Sequence, residues 1–389
     1  MSLPLAGLRI LDFGHTIMGP SCGVILADLG AEVIRVEPPG GDRTRRLGGF
    51  GVGFFGTFNR NKRSLAVDLK DPRGKEIVLK LVETADAVVE NFAPGTMERL
   101  GLDAAALARV NPRLVYCSLK GYLPGPYENL PALDEVVQMQ GGLAFMTGPP
   151  GRPLRAGASV VDIMGGMFGV IGILAALHQR EITGKGQAVA ASLFETVAFL
   201  VAQHMAAGAI SGTPLAPMTE RRQTWAIYDI FEVSDGQVFV GVVSDQHWQR
   251  LVAAFPELSD LGDDPGLATN SQRVTHRDRI MPRLTALFAT MTIREVMAAC
   301  NAALIPAAPV NRPDDLFLDP HLLAGGGMPI HALTPEVEAR LPVTPIVMGD
   351  GPLPLRTQPP VSGHDTAALL AELGFDARAL ADAGVVQIE

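Results

Sequence analysis

Residues 8–37, LRILDFGHTIMGPSCGVILADLGAEVIRVE, decide the fold. Residues 8–13 are a short apolar run of strand composition, and residues 19–30 read as a helix with Pro20 in its first turn. Residues 31–37 return to a strand, completing a βαβ unit whose strands run parallel. The alternation continues outward: strand 64–69, helix 72–85, strand 86–91, a helix near 96–100 and strand 114–119. Such alternation predicts an α/β fold with a mostly parallel sheet covered on both faces. Two long apolar helices follow, at 162–183 and 192–210. The pattern changes after about residue 212. Residues 225–233 and 237–243 flank Ser234-Asp235-Gly236, a hairpin signal, and helices at 246–255, 277–290 and 293–303 complete a second, α+β region. A proline-rich tail at 341–360 ends in a helical stretch at 366–373.

Composition bounds the function. The chain has 389 residues, enough for two or three domains, and 47% are hydrophobic against 19% charged. That excludes a disordered chain and supplies a large core. The net charge of −9 argues against a nucleic-acid or anionic-membrane binder. Cys22, Cys117 and Cys300 are too scattered for a disulfide framework or a metal site, so a reducing, cytoplasmic setting is expected. No basic region precedes the first apolar residues, so no secretory signal is expected. The longest apolar run, residues 163–177, is shorter than the roughly 20 residues of a membrane span, so no membrane association is expected either.

Several short patterns invite chemistry. Residues 14–21, GHTIMGPS, have phosphate-loop spacing, but Pro20 stands where the lysine belongs. Residues 51–56, GVGFFG, are a literal GxGxxG with no convincing strand before them. Around them, residues 43–63 hold Arg43, Arg45, Arg46, Arg60, Lys62 and Arg63 with no acid, interleaved with Phe50, Phe54, Phe55 and Phe58. Such a segment suits a small polyanion bearing a stacking group; its bland reading is a solvated basic loop. Asp162 follows the run Ala158-Ser159-Val160-Val161 and precedes a long apolar helix. It reads as a helix N-cap or, at a strand-to-helix junction, as an ionised nucleophile. The eight histidines show no metal-ligand spacing.

Seven segments, taken together, resemble the family III CoA-transferases, the group that includes formyl-CoA transferase and carnitine CoA-transferase. They are PLAGLRILDFGHTIMGP, LADLGAEVIRVEPPGGD, NRNKRSLAVDLK, ADAVVENFAPGTMERLGL, NPRLVYCSLKGY, VVDIMGGMFGVIGILAALHQREITGKGQ and AIYDIFEVSDG. The resemblance implies a Rossmann-like large domain built from residues 1–215 and 322–389, a smaller α+β domain at 216–321, and an intertwined homodimer. It implies transfer of CoA from an acyl-CoA to a free carboxylic acid, with no metal and no tightly bound cofactor. Its nucleophilic aspartate matches Asp162.

CoA contacts are implied at Met18, at Val67, Asp68, Leu69 and Lys70, at Asn91, Phe92 and Ala93, at Arg99, and at Ala132, Leu133 and Asp134. Ile17 and Pro131 depart from the glutamine and lysine of formyl-CoA transferase, and residues 218–223 lack its glycine lid. Formate and oxalate are therefore disfavoured as substrates. The alternative, an α-methylacyl-CoA racemase-like isomerase, needs a histidine where Leu133 stands. Arg155, Arg221 and Arg222 are candidates to pair with a second carboxylate, pointing to a dicarboxylate such as succinate. Backbone N–H groups of the glycine-rich turn expected after Asp162 are candidate oxyanion donors.

Overall fold

In the computed structural model, which describes residues 3–220, 224–334, 336–349 and 351–389, the chain divides into two compact units. One comprises residues 1–220 and 320–389, the other residues 221–319. The larger unit begins with β1 (Arg9–Asp12), α1 (Met18–Asp28), β2 (Glu32–Glu37), β3 (Lys62–Val67) and α2 (Pro72–Val82). It continues with β4 (Ala87–Glu90), β5 (Val115–Lys120), α3 (Asp134–Gln140), α4 (Val160–Thr183), β6 (Ala188–Ser192) and α5 (Leu193–Ser211). The six strands pair in parallel in the order β3-β2-β1-β4-β5-β6, and a C-terminal strand, Val386–Gln387, adds antiparallel to β3. This is the doubly wound order, with its reversal point between β1 and β4.

Each face of the sheet has its own core. Alternate residues of one strand serve both: Ile10 packs with Leu26, Val33 and Ile173, while Leu11 packs with Ile34, Leu65 and Ile77. Burial on both sides is why Ile10, Leu11, Val33, Ile34 and Leu65 are apolar on either face, while the charged Asp12, Arg35 and Lys62 in these strands are buried with one another. Helix α4 lies close along α1 because a Cβ on Gly166 would sit 2.7 Å from the Met18 carbonyl oxygen. The 15-residue apolar run was expected to be too short to span a bilayer. It extends instead into the 24-residue α4, and both α4 and α5 are long and apolar enough to cross one. Helix α4 is a core helix, burying Val161, Gly169, Val170 and Ile173.

The smaller unit is an antiparallel sheet of β7 (Ile227–Val233), β8 (Gly236–Val242) and β9 (Ala307–Pro309), in that order. Helices Asp245–Ala254, Arg277–Phe288 and Ile293–Ala302 bury Trp248, Leu284, Phe288 and Val296 in its core.

The basic segment 43–63 is not the open cradle its composition suggested. Lys62 Nζ is fully buried and donates to Asp12 Oδ2 at 2.7 Å. Arg60 pairs with Asp28, Arg45 forks onto Glu37, and Arg63 reaches Glu32 and Glu372. The partners come mostly from the first 37 residues, on strands and helices that the sheet brings back alongside. Four of the six bases in a run with no acid of its own are thus paired with acids from outside it. Burial pushes the Lys62 ammonium down to about 8, with Asp12 pulling the other way.

Lys62→Met keeps much of the stem and strands Asp12 in the core, with Arg35 at 3.9 Å as its remaining ion-pair partner. Removing one member of a buried pair leaves an uncompensated charge. Urea unfolding should show a loss of about 3 kcal/mol; a loss below ~1 kcal/mol would mean that Arg35 alone balances Asp12.

Candidate active site

The turn between β1 and α1 and the carboxyl ends of β4 and β5 meet at the sheet's reversal point, where doubly wound folds bind ligands. A cavity of about 250 Å³ opens there. Its lining includes His15 to Met18 from the turn, Asn91 after β4, Lys120 ending β5, and Asp162 and Ser159 at the start of α4. Phe50 and Phe54, from the GxGxxG stretch, also line it. That stretch forms short helical turns at Gly49–Gly53 and Phe54–Phe58 rather than a strand-to-helix loop.

The turn is held from two sides. Asn91 Oδ1 accepts the His15 N–H at 2.7 Å, and its Nδ2 donates to the His15 carbonyl at 3.0 Å. Beneath it, Asp12 Oδ1 accepts the Gly14 N–H and Arg35 donates to the Gly14 carbonyl. Thr16 is forced to a φ of 63°, unusual for a β-branched residue and maintained by this bracing. His15 stacks on Phe92 with ring centroids 5.6 Å apart, and its Nδ1 lies 3.0 Å from the Thr16 hydroxyl. Burial lowers the His15 pKa, which favours the neutral ring.

Asp162 is not an N-cap, and residues 158–161 are not a strand. Helix α4 starts at Val160 with Ser159 as its N-cap, so Asp162 is its third residue. The capping is done from outside: Asp134 Oδ2, on α3, accepts the N–H groups of Val161 (2.9 Å) and Asp162 (3.1 Å), and Gln138 bonds Oδ1. Among the described residues, no hydrogen bond or ion pair engages the Asp162 carboxylate. Burial first, then the charges of Asp134 and Glu135, push its pKa up to about 7. A helix N-terminus pulls the other way by about 0.3–1 kcal/mol, whereas a rise of roughly three units is worth about 4 kcal/mol. Burial and like charge win.

A second hollow, of about 710 Å³, lies at the start of α2. Leu69, Lys70 and Arg99, three of the implied CoA contacts, line it, and Lys75 joins them. Lys70, Lys75 and Arg99 have no ion-pair partner among the described residues, in contrast to Arg45, Arg60, Lys62 and Arg63.

The implied CoA contacts therefore fall into groups. Met18, Asn91, Ala132, Leu133 and Asp134 line the first cavity with Asp162, and Leu69, Lys70 and Arg99 line the second. The Asn91 side chain is spent on protein backbone, and that of Asp134 on backbone and the Gln138 amide. The Val67 side chain points into the core, Asp68 Oδ1 accepts the Lys70 N–H, and the Ala93 carbonyl accepts the Thr96 N–H. Arg155 lies 3.3 Å from Glu135. Arg221 and Arg222 lie outside the described residues.

The glycine-rich turn expected to supply oxyanion donors is helix. The N–H groups of Val160 to Ile163 are all taken, by Ala158, Asp134 and Ser159. Sequence reasoning missed His15, Lys120, Glu135, Ser159 and Lys75. Lys120 had a signal, since it ends a strand of a parallel sheet; it is held by Glu90 at 2.6 Å.

The profile of CoA-transferase family III matches residues 5–366. The chain is 33% identical over 389 residues to the succinate–glutarate CoA-transferase of Agrobacterium fabrum, covering 95% of this chain and 96% of that one. It is 36% identical over 316 residues to the acetyl-CoA:oxalate CoA-transferase of Acetobacter aceti, covering 79% and 80%. A crystal structure of a CaiB/BaiF family protein from Brucella suis has a TM-score of 0.86 at 33% identity, covering 96% of this chain and 100% of that one.

Proposed function

The chain belongs to CoA-transferase family III and transfers CoA between an acyl-CoA and a carboxylic acid, and on that premise we propose that Asp162 is the nucleophile. The observation that carries this reading is an unengaged carboxylate facing a cavity at the reversal point of the sheet. The carboxylate attacks the thioester carbonyl carbon, whose π pair moves onto oxygen. Collapse breaks the C–S bond, releasing CoA thiolate and leaving a mixed anhydride. The thiolate then attacks the aspartyl carbonyl and expels the donor acid, giving an aspartyl-CoA thioester. The acceptor carboxylate runs the same steps in reverse, and water must stay out to conserve the thioester.

In this reading Lys70, Lys75 and Arg99 hold the phosphates of CoA, and Met18, Ala132 and Leu133 flank its reacting arm. Phe92 acts at one remove, through its stack on His15. The two units correspond to a large CoA-binding domain and a small domain. The acids are dicarboxylates. Support comes from the relatives named for succinate–glutarate and acetyl-CoA:oxalate transfer, and among dicarboxylates the absent glycine lid still disfavours oxalate itself. A second carboxylate reaching Arg155 would compete with Glu135.

The working form is a homodimer in the cytoplasm. Met167 and Ile171 on α4 and Phe199, Met205 and Ile210 on α5 are exposed, and these apolar side chains are what a partner subunit would cover. Three buried free thiols fit a reducing compartment.

Donor acyl-CoA without acceptor should leave an activated carboxyl that hydroxylamine converts to a hydroxamate at Asp162 alone, located by peptide mapping. Asp162→Asn should fold and lose transfer entirely; retained transfer would sink the mechanism. Because Asp162 must be ionised to attack, kcat/KM should be flat above pH ~8 and fall as pH drops through about 7. A panel of mono- and dicarboxylic acids, read by mass spectrometry, tests the substrate class; a preference for monocarboxylates counts against it.

For the phosphate contacts, Arg99→Ala and Lys75→Ala should each raise the KM for acyl-CoA roughly ten-fold at low salt and flatten its salt dependence. An unchanged KM and salt slope would make these bases ordinary surface charges.

Sedimentation should show the dimer persisting at nanomolar concentration, since intertwined chains separate only by unfolding. A folded monomer under those conditions would rule out intertwining.

A further inference from the structure

We propose that the Ser159 hydroxyl is a catalytic hydrogen-bond donor, placed to meet the oxyanion formed when Asp162 attacks the thioester; this rests on Asp162 being the nucleophile. A serine at an N-cap ordinarily turns its oxygen inward to accept the N–H of the second or third helical residue. Here those residues are Val161 and Asp162, and both N–H groups already belong to Asp134 Oδ2. Ser159 makes no capping bond with its side chain, and it lines the cavity together with Asp162. Its hydroxyl has no hydrogen-bond partner among the described residues.

The spacing suits the chemistry. Residues three apart at the start of a helix are neighbours on one face, so donor and nucleophile flank the same space. The other hydroxyl of the lining, Thr16, is engaged by His15, and Lys120 is engaged by Glu90. The N–H groups of the first turn of α4 are spent on Asp134, Ala158 and Ser159. As the Asp162 oxygen bonds to the carbonyl carbon, the π pair collects on the carbonyl oxygen. Ser159 donates a hydrogen bond to that oxygen and keeps its proton. The pair returns when the C–S bond breaks and thiolate leaves, so the hydroxyl is not consumed. A carbonyl in the ground state gains less from this bond than the oxyanion does, and the gain therefore appears in kcat.

The test compares the parent enzyme with Ser159→Ala and Ser159→Thr. Ser159→Ala should lower both kcat and the rate of hydroxylamine-trapped adduct formation roughly 100-fold, with the KM for acyl-CoA and the unfolding midpoint unchanged. Ser159→Thr, which keeps the hydroxyl, should recover most of the rate. A kcat for Ser159→Ala within about three-fold of the parent overturns the proposal, whatever its stability. So does a loss that follows a lowered unfolding midpoint and is not rescued by threonine, because that is the behaviour of a cap. Failure of the nucleophile assignment is separate and visible in the parent, which would then give no hydroxamate at Asp162.

Discussion

The buried contact between Lys62 and Asp12 is the constraint on which the rest of the larger unit hangs. Asp12 ends β1 and Lys62 starts β3, with β2 between them. One aspartate oxygen takes Lys62, and the other takes the Gly14 N–H. Arg35 on β2 donates to the Gly14 carbonyl and to Asp42. The charges are paired because an unpaired charge at this depth would cost several kcal/mol. Pairing them also fixes the backbone leaving β1, and that backbone is one wall of the cavity. Fold and site thus share one set of interactions, and Asn91 completes it by gripping His15 from above.

A second carboxylate organises the other wall. Asp134 reaches from α3 to the first turn of α4 and takes the two N–H groups that would otherwise have bonded Ser159. One substitution of partner has three consequences. The helix start is satisfied from outside, the Asp162 carboxylate is left unengaged beside a like charge, and a serine hydroxyl is freed into the cavity. None of them is visible in the local sequence, since Asp134 and Asp162 are 28 residues apart.

The parallel sheet was legible because short β-rich runs such as 8–13 and 31–37 alternate with helical ones, even though both runs carry charges, among them Asp12, Arg35 and Glu37, that the fold buries. The resemblance of its segment singled out Asp162 as the candidate nucleophile, while its local context misled: the run before it is a helix start, not a strand. The basic segment 43–63 was misread for a physical reason. Charge counting along a chain sees only neighbours, whereas Asp12, Asp28, Glu32 and Glu37 reach their partners across the fold. Lys75 went unnoticed because a half-buried helical lysine is ordinary; that no ion pair reaches it among the described residues, although Asp71 lines the same hollow, is a property of three dimensions. Met18, Asn91, Asp134 and Asp162 are far apart in sequence, and the winding of the sheet brings them to one cavity.

The raised pKa of Asp162 bears on the direction of the proposed chemistry. In a mixed anhydride two carbonyl carbons compete for the thiolate, and each attack expels the other carboxylate. Attack at the substrate carbonyl expels Asp162 into a buried place beside Asp134 and Glu135, where its charge is costly enough to move its pKa to about 7. Attack at the aspartyl carbonyl expels the substrate acid, whose ordinary carboxyl pKa near 4 makes it the better leaving group. The burial and, after it, the neighbouring charges that raise the basicity of Asp162 also make it the poorer leaving group. They therefore bias the anhydride toward aspartyl-CoA and away from return to starting materials. In the proposed chemistry, two acidic residues beside Asp162, which look unfavourable in a charge count, add to burial in favouring this order of events.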